Sequence, residues 1–474
     1  MLDEHHKKIK STGKVLLLFT LMLWFYRNNL QSVNFIIILV LLVRVSINLL
    51  CRTSVYTKKE TDLQTPSFKR KAKIFSTMVL FFVIIILLSA TAFLNLSPQV
   101  GGDPGSYDSP NYYDGKFNNL NETSVSTGSF FGTLLDYMVG DDDRNPDIVL
   151  PTKEYQNIPL NQSDVSITWF GHSTILIQSH NTTILMDPIL GDGELDPLIF
   201  GPSPFAYEHT YDTEDLPQVD YVFISHDHYD HLDMGTIQSL AGAEFFVPLG
   251  VKSHLTTWDI PSEDVIEFDW YDEYNISSEL FIALTPSQHF SGRGLSGDNT
   301  LWGSWVLDFN GHKIFFSGDS GYSEEYAEIG DKYGPFDIAI IEAGQYNEAW
   351  SSIHMFPEQS VQASIDLEAS TILPIHNTKY VLSLHKWNAP LERVTAAGEL
   401  LNQTVSTPYI GESFVLGGEN PDYRWWRDVE IPSPPWLKES GFVGFMIPLS
   451  LFASLAMVNI QRFVSEEHLL DQEE

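Results

Sequence analysis

Ser225–His231 reads SHDHYDH and follows directly on Val219–Ile224, VDYVFI. The apolar, β-branched and aromatic run predicts a buried strand. Three histidines and two aspartates then crowd into the turn that ends it. His226 and His228, two positions apart, can aim at one ion, while the adjacent Asp230 and His231 can turn toward a second. Zinc accepts imidazole nitrogen and carboxylate oxygen at about 2.0–2.2 Å, and two such ions about 3.5–4 Å apart form a hydrolytic pair.

The same punctuation recurs elsewhere. LFIALTPSQH ends on His289, KIFFSGD on Asp319, TILPIH on His376 and TTILMD on Asp187. Histidine or aspartate just past successive apolar strands describes a site built on one rim of a sheet. We read His226, His228, Asp230, His231, His289, Asp319 and His376 as metal ligands on this joint pattern. Taken singly, His172, His254, His312 and His385 read as structural or surface residues. Asp187 either caps the turn before Pro188 or belongs to the site.

Composition narrows the chemistry. The sole cysteine, Cys51, excludes an intrachain disulfide and a thiolate-held metal. Charge divides along the chain: residues 1–96 hold 13 Lys and Arg against 4 Asp and Glu, leaving 14 basic against 58 acidic residues beyond them. So acidic a segment does not suit nucleic acid, whose phosphates call for Lys and Arg. It fits high-salt, halophilic surroundings better than an acidic interaction surface.

Four apolar stretches predict membrane spans: 15–26 with 35–50 as a hairpin around Arg27-Asn28-Asn29, then 75–96, then 441–460. The last two are long enough, at about 1.5 Å per residue, to cross about 30 Å of hydrocarbon. Basic clusters on both sides of the hairpin (Lys7 to Lys14, Arg52 to Lys73) stay cytoplasmic by the positive-inside bias. The acidic domain is then expected outside the cell membrane. Asn-x-Ser/Thr sites at Asn95, Asn121, Asn161, Asn181, Asn275 and Asn402 are compatible with that side, and Trp425, Trp426 and Trp436 suit either an interfacial belt or a core.

Residues 97–150, rich in Gly, Asp, Asn and Ser, read as an extended acidic linker with one short helix at FFGTLLDYM. From 151 to 420 short strands are followed by helices at 234–242, 323–333, 357–367 and 389–400, which predicts an α/β domain of two packed sheets with helices outside.

At these residues the chain resembles the metallo-β-lactamase superfamily, whose H-x-H-x-D-H signature stands as His226 to His231. It is similar above all to the N-acylphosphatidylethanolamine-hydrolysing phospholipase D branch. TWFGHST (168–174), LMDPIL (185–190), SHDHYDHLD (225–233), FFSGDSGY (315–322), IHMFPEQSVQA (353–363) and LPIH (373–376) carry the resemblance, with YYDGKF (112–117) as a leader. The resemblance implies an αββα four-layer sandwich and two zinc ions, or another divalent transition metal. One ion would sit on His226, His228, His289 and Asp319, and the other on Asp230, His231, Asp319 and His376. Asp187 would support the ligands from behind. It further implies a hydrolase in which a metal-bridged hydroxide attacks a phospholipid phosphodiester, with Asp230 orienting it and His354 acting on substrate. A lactonase, a phosphate-ester or nucleotide hydrolase, and a non-catalytic membrane sensor are the other functions open to this fold. The chain departs from the branch at His376-Asn-Thr-Lys-Tyr380 and Gly344-Gln-Tyr346, positions expected to line the substrate side.

Overall fold

The structure is a computed structural model. It describes residues 97–429 apart from 122, 124–141, 192, 194, 196–201, 295–296, together with Thr77, Phe81, Ile84 and Ile85. Among the described residues no helix is long and apolar enough to cross a membrane. The predicted spans (those four residues aside), the helix at 130–138 and Trp436 lie outside them. The chain divides into two compact units, residues 1–103 with 293–296, and the remainder. In the first, the Arg293 guanidinium donates twice to Gln99 O, at 3.1 and 2.9 Å.

The second unit begins with a hairpin, β1 (Tyr112–Tyr113) and β2 (Lys116–Phe117). The first large sheet takes β3 (Ser166–Trp169), β4 (Ile175–Gln178), β5 (Thr183–Met186), β6 (Tyr221–Phe223), β7 (Glu244–Pro248) and β8 (Val265–Phe268). The second takes β9 (Glu273–Asn275), β10 (Leu280–Thr285), β11 (Ser304–Phe309), β12 (His312–Phe316), β13 (Ile338–Glu342), β14 (Thr371–Ile375) and β15 (Thr404–Val405). The chain then returns to the first sheet as β16 (Ser413–Val415) beside β3. Each sheet has seven strands and is mixed: β16-β3-β4-β5 and β9-β10-β11-β12 are antiparallel, while β5-β6-β7-β8 and β12-β13-β14-β15 are parallel.

Side chains alternate faces along a strand, and the second sheet shows it residue by residue. Ile282, Leu284, Ile314, Phe316, Ile338, Ile340, Leu373 and Ile375 join the core shared with the first sheet. Ala283, Phe315, Ala339, Ile341 and Ile372 instead join Tyr326, Ile329, Val361 and Val394. Those four belong to the helices outside, which follow α1 (Met234–Ser239) and α2 (Lys252–Thr257) in the chain: α3 (Glu325–Tyr333), α4 (Pro357–Asp366) and α5 (Ala389–Leu401). Both faces of β12–β14 are buried, which is why their sequences read as continuous apolar runs. This is the α/β metallo-β-lactamase-type architecture with mixed sheets.

One choice left open is decided and one expectation needs correction. Trp425 and Trp426, on α6 (Trp425–Asp428), are buried, and their indoles donate to Pro408 O and Glu392 Oε1 at 3.1 and 2.7 Å. Of the two readings open for them, they take the core one and pack the domain. Lys379, Tyr380, Gln345 and Tyr346, at the departures from the resembled family, are all buried. Lys379 Nζ donates to Ile189 O (2.8 Å), Tyr380 OH to Gly193 O (2.6 Å) and Gln345 Nε2 to Tyr380 O (3.1 Å). The departures from the resembled family therefore pin the loop after β5 to the loop after β14. His172, read as structural or surface, lies inside the candidate site.

Candidate metal centre

Strands that run the same way end on the same rim. β5 and β6 are parallel, β12, β13 and β14 are parallel, and two antiparallel steps bring β10 into line with β12. Asp187, His226 to His231, His289, Asp319, Glu342 and His376 each stand at or just past the carboxyl end of one of these strands. The carboxyl ends of sheet strands are the usual ligand-binding edge. All seven sequence-predicted ligands come together there. His226, His228, His289 and Asp319 form one group whose candidate donor atoms lie within 4.8 Å of one another, and His172, Asp230, His231 and His376 form another.

Asp319 stands between the groups. Its Oδ2 lies 3.7 Å from His226 Nε2, 3.7 Å from His289 Nε2 and 3.2 Å from His231 Nε2, while Oδ1 lies 3.1 Å from His376 Nδ1. Gly318 before it has φ +56, and a Cβ there would meet Ser225 Cβ at 2.5 Å, so the SGD turn needs glycine to bring the carboxylate this close.

The partners behind the ligands set which nitrogen faces inward. Asp187 is fully buried. Its Oδ1 accepts from Ser225 N at 2.7 Å, and its Oδ2 takes the Ser225 hydroxyl and lies 2.7 Å from His231 Nδ1. His226 Nδ1 is 2.9 Å from Ser225 Oγ and His289 Nδ1 is 3.0 Å from Ile353 O. Each contact leaves Nε2 for the centre. His172 Nε2 lies 2.9 Å from Asp230 Oδ2, so this histidine holds a proposed ligand. The TWFGHST segment was the available signal, but one histidine read alone could not reveal it. Glu342 was missed as well. Fully buried, it accepts from Met355 N at 2.9 Å and sits 2.8 Å from His354 Nδ1. The His354 ring stacks on His376 at 5.2 Å and meets His289 edge-on at 5.0 Å. Asp187 does more than cap a turn, and the other three histidines read singly stay outside the two donor groups: His254 pairs with Asp227 (3.2 Å), His385 accepts from Gln345 N (2.8 Å) and His312 is partly exposed near Asp337.

Burial governs the protonation of the cluster. It holds His226, His289 and His376 well below the imidazole range, seconded by neighbouring imidazoles, and brings His228 and His172 to about 4. Burial also opposes charge on His231, but Asp319, Asp230 and Asp187 outweigh it and raise that group. Burial lifts Asp319 to about 6 against the pull of His231. Neutral imidazoles carry lone pairs ready for a cation. His231 Nε2 and Asp319 Oδ1 are buried with no hydrogen-bond partner among the described residues, a state that burial penalises. An all-nitrogen-and-oxygen donor set with orphaned atoms at its middle fits divalent metal ions.

Residues 182–377 match the sequence model of the Beta-lactamase superfamily domain. An uncharacterized protein of Mycobacterium tuberculosis is 37% identical over 331 residues, 68% of this chain and 88% of that protein. N-acyl-phosphatidylethanolamine-hydrolyzing phospholipase D 1 of Caenorhabditis elegans is 32% identical over 229 residues, 45% of this chain and 64% of that protein. Among solved structures, Igni18, a metallo hydrolase of Ignicoccus hospitalis, aligns with 53% of this chain and 98% of its own at 23% identity and a TM-score of 0.41.

Proposed function

Because the chain belongs to the metallo-β-lactamase superfamily and is a metal-dependent hydrolase, we propose that it is a binuclear, zinc-loaded phosphodiesterase of phospholipase D type. Its substrate is an N-acylphosphatidylethanolamine-like lipid. The observation that carries this reading is the pair of donor groups meeting at Asp319 beside the Glu342–His354 pair. His226, His228, His289 and Asp319 would hold one ion, and Asp230, His231, Asp319 and His376 the other. A divalent pair would supply Lewis-acid polarisation of the phosphoryl oxygens and a water acidified to titrate near neutrality.

This chain's own residues do the rest. His172 holds Asp230 at Oδ2, and the carboxylate so held orients the attacking water and takes its proton. Burial favours the neutral forms of both Glu342 and His354, so the Glu342 hydroxyl donates to His354 Nδ1 and the ring proton sits on Nε2, available to a leaving oxygen. Water oxygen bonds to phosphorus, the P–O bond to the head-group alcohol breaks, and that alcohol takes the proton of His354 Nε2 while Glu342 passes its own proton to His354 Nδ1. Phosphatidic acid is left behind. We assign the domain to the outer side of the cell membrane, anchored by 75–96 and 441–460. Support for this is the split between a basic N-terminal segment and an acidic remainder. Purified full-length chain, assayed with N-acylphosphatidylethanolamine, cyclic nucleotides and lactones, should release phosphatidic acid. Protein with a full metal complement and no lipid turnover would refute the reading in favour of another hydrolase.

A further inference from the structure

His289 lies in the loop after β10, four residues beyond the last ladder position, Thr285. A ligand on such a loop needs some other hold on its main chain. It comes from a residue 170 positions earlier: Asn119 Nδ2 donates to His289 O at 2.7 Å, and Asn119 Oδ1 accepts from His289 N at 3.1 Å. One side-chain amide thus makes, with one residue, the pair of bonds that a neighbouring strand would otherwise make. Trp302, fully buried, adds its indole N–H to the same Oδ1 at 3.1 Å.

The amide is itself held in register by the leader. Phe117 is buried, its N–H donates to Asp298 O at 2.8 Å, and its ring packs edge-on against Tyr112 at 4.9 Å. Asn118 N donates to Asn111 O at 2.9 Å and its side chain to Lys116 O at 2.9 Å, closing the β1-β2 hairpin. The segment read from sequence as linker therefore ends on the main chain of a proposed metal ligand.

We propose that Asn119 is a positioning residue for one ion of the pair: through the backbone of His289 it fixes that imidazole toward Asp319, and it has no hold on the ion at Asp230, His231 and His376. This rests on His289 being a ligand, which His289→Ala tests separately. The asymmetry is chemical. Outer partners that orient a ligand commonly set about 10–100-fold in metal affinity, and among the described residues only one of the two donor groups has its ligand tied to the leader.

The test titrates zinc, against a chromophoric chelator, into metal-free full-length wild type, N119A, N119D, H289A and N119A/H289A. N119D retains an acceptor for His289 N and Trp302 Nε1 but sets an oxygen against His289 O. Expected is a rise of roughly 10–100-fold in one dissociation constant for N119A and for N119D, with the other unchanged. H289A should lose that same ion, and N119A should add nothing in its background. Both constants moving together, neither moving, or N119A weakening zinc further without His289 would overturn the proposal. H289A binding two ions like wild type would instead overturn the ligand assignment beneath it.

Discussion

Asp187→Asn changes one atom of a fully buried side chain without changing its volume. In the native chain Oδ2 faces His231 Nδ1 at 2.7 Å while Oδ1 accepts from Ser225 N at 2.7 Å. With an ion bound, the carboxylate would hold the ring proton on Nδ1 and leave Nε2, which lies 3.2 and 3.6 Å from Asp319 and Asp230, free to give its lone pair to that ion. With the amide oxygen retained on Ser225 N, the new NH2 faces Nδ1, which must become the acceptor. The ring proton then moves to Nε2 and caps the lone pair. With the amide flipped, NH2 opposes the Ser225 N–H, and an unsatisfied buried donor costs about 1–3 kcal/mol. Either arrangement weakens the centre. We expect zinc affinity at the His231 group to fall by roughly 10–100-fold, which is about 1.4–2.8 kcal/mol. Unfolding stability should fall by about 1.5–3 kcal/mol for the lost charge-assisted bond. Chelator competition reads the first, urea denaturation the second, and two-bond proton–nitrogen NMR of the imidazoles the tautomer. D187N that keeps two ions at native affinity, with the proton still on His231 Nδ1, would refute the reasoning.

Other substitutions probe separate links. His354→Gln should slow hydrolysis of diesters with alkyl leaving groups by about 10²–10⁴-fold. Bis(p-nitrophenyl) phosphate, whose leaving group needs no proton, should be far less affected, and equal losses on both would exclude His354 as proton donor. Gly344→Ala places a Cβ 1.9 Å from His376 O; moving that backbone should cost at least about 1–3 kcal/mol, seen as a lowered urea midpoint together with lost metal. Burial brings Lys379 down to about 8, whereas the unfolded ammonium keeps its proton to about 10.4. Between these values the unfolded chain binds more protons, so stability rises with pH in this window, by at most about 1.4 kcal/mol per unit. Lys379→Met should remove that slope, and parallel stability curves for the two proteins between pH 8 and 10 would contradict it.

Much of the domain was readable beforehand because its signals are local. The runs holding β6 (Tyr221–Phe223) and β10 (Leu280–Thr285) read as strands by composition alone, Pro357 marks the first turn of α4, and the ligand residues stand just past such strands. His172, Glu342 and Asn119 were not readable, for one shared reason. Each acts on a residue remote in sequence: Asp230 at 58 positions, His354 at 12 and His289 at 170. No periodicity or spacing encodes such a pairing. What Lys379 fastens was equally unreadable, since its partner Ile189 lies 190 positions away.

What the sequence settled by itself was the chemistry available: neutral nitrogen and carboxylate oxygen donors, no thiolate, placed at the ends of buried strands. Those are properties of residue type and of a strand's period, and both are written one position at a time. Only the tertiary structure decided which donors share a centre, which ring nitrogen each histidine turns inward, and that Asp319 stands between two groups. Distances of 3–4 Å between residues a hundred positions apart arise when two sheets pack and parallel strands bring their ends to one rim, a condition that no stretch of chain contains alone.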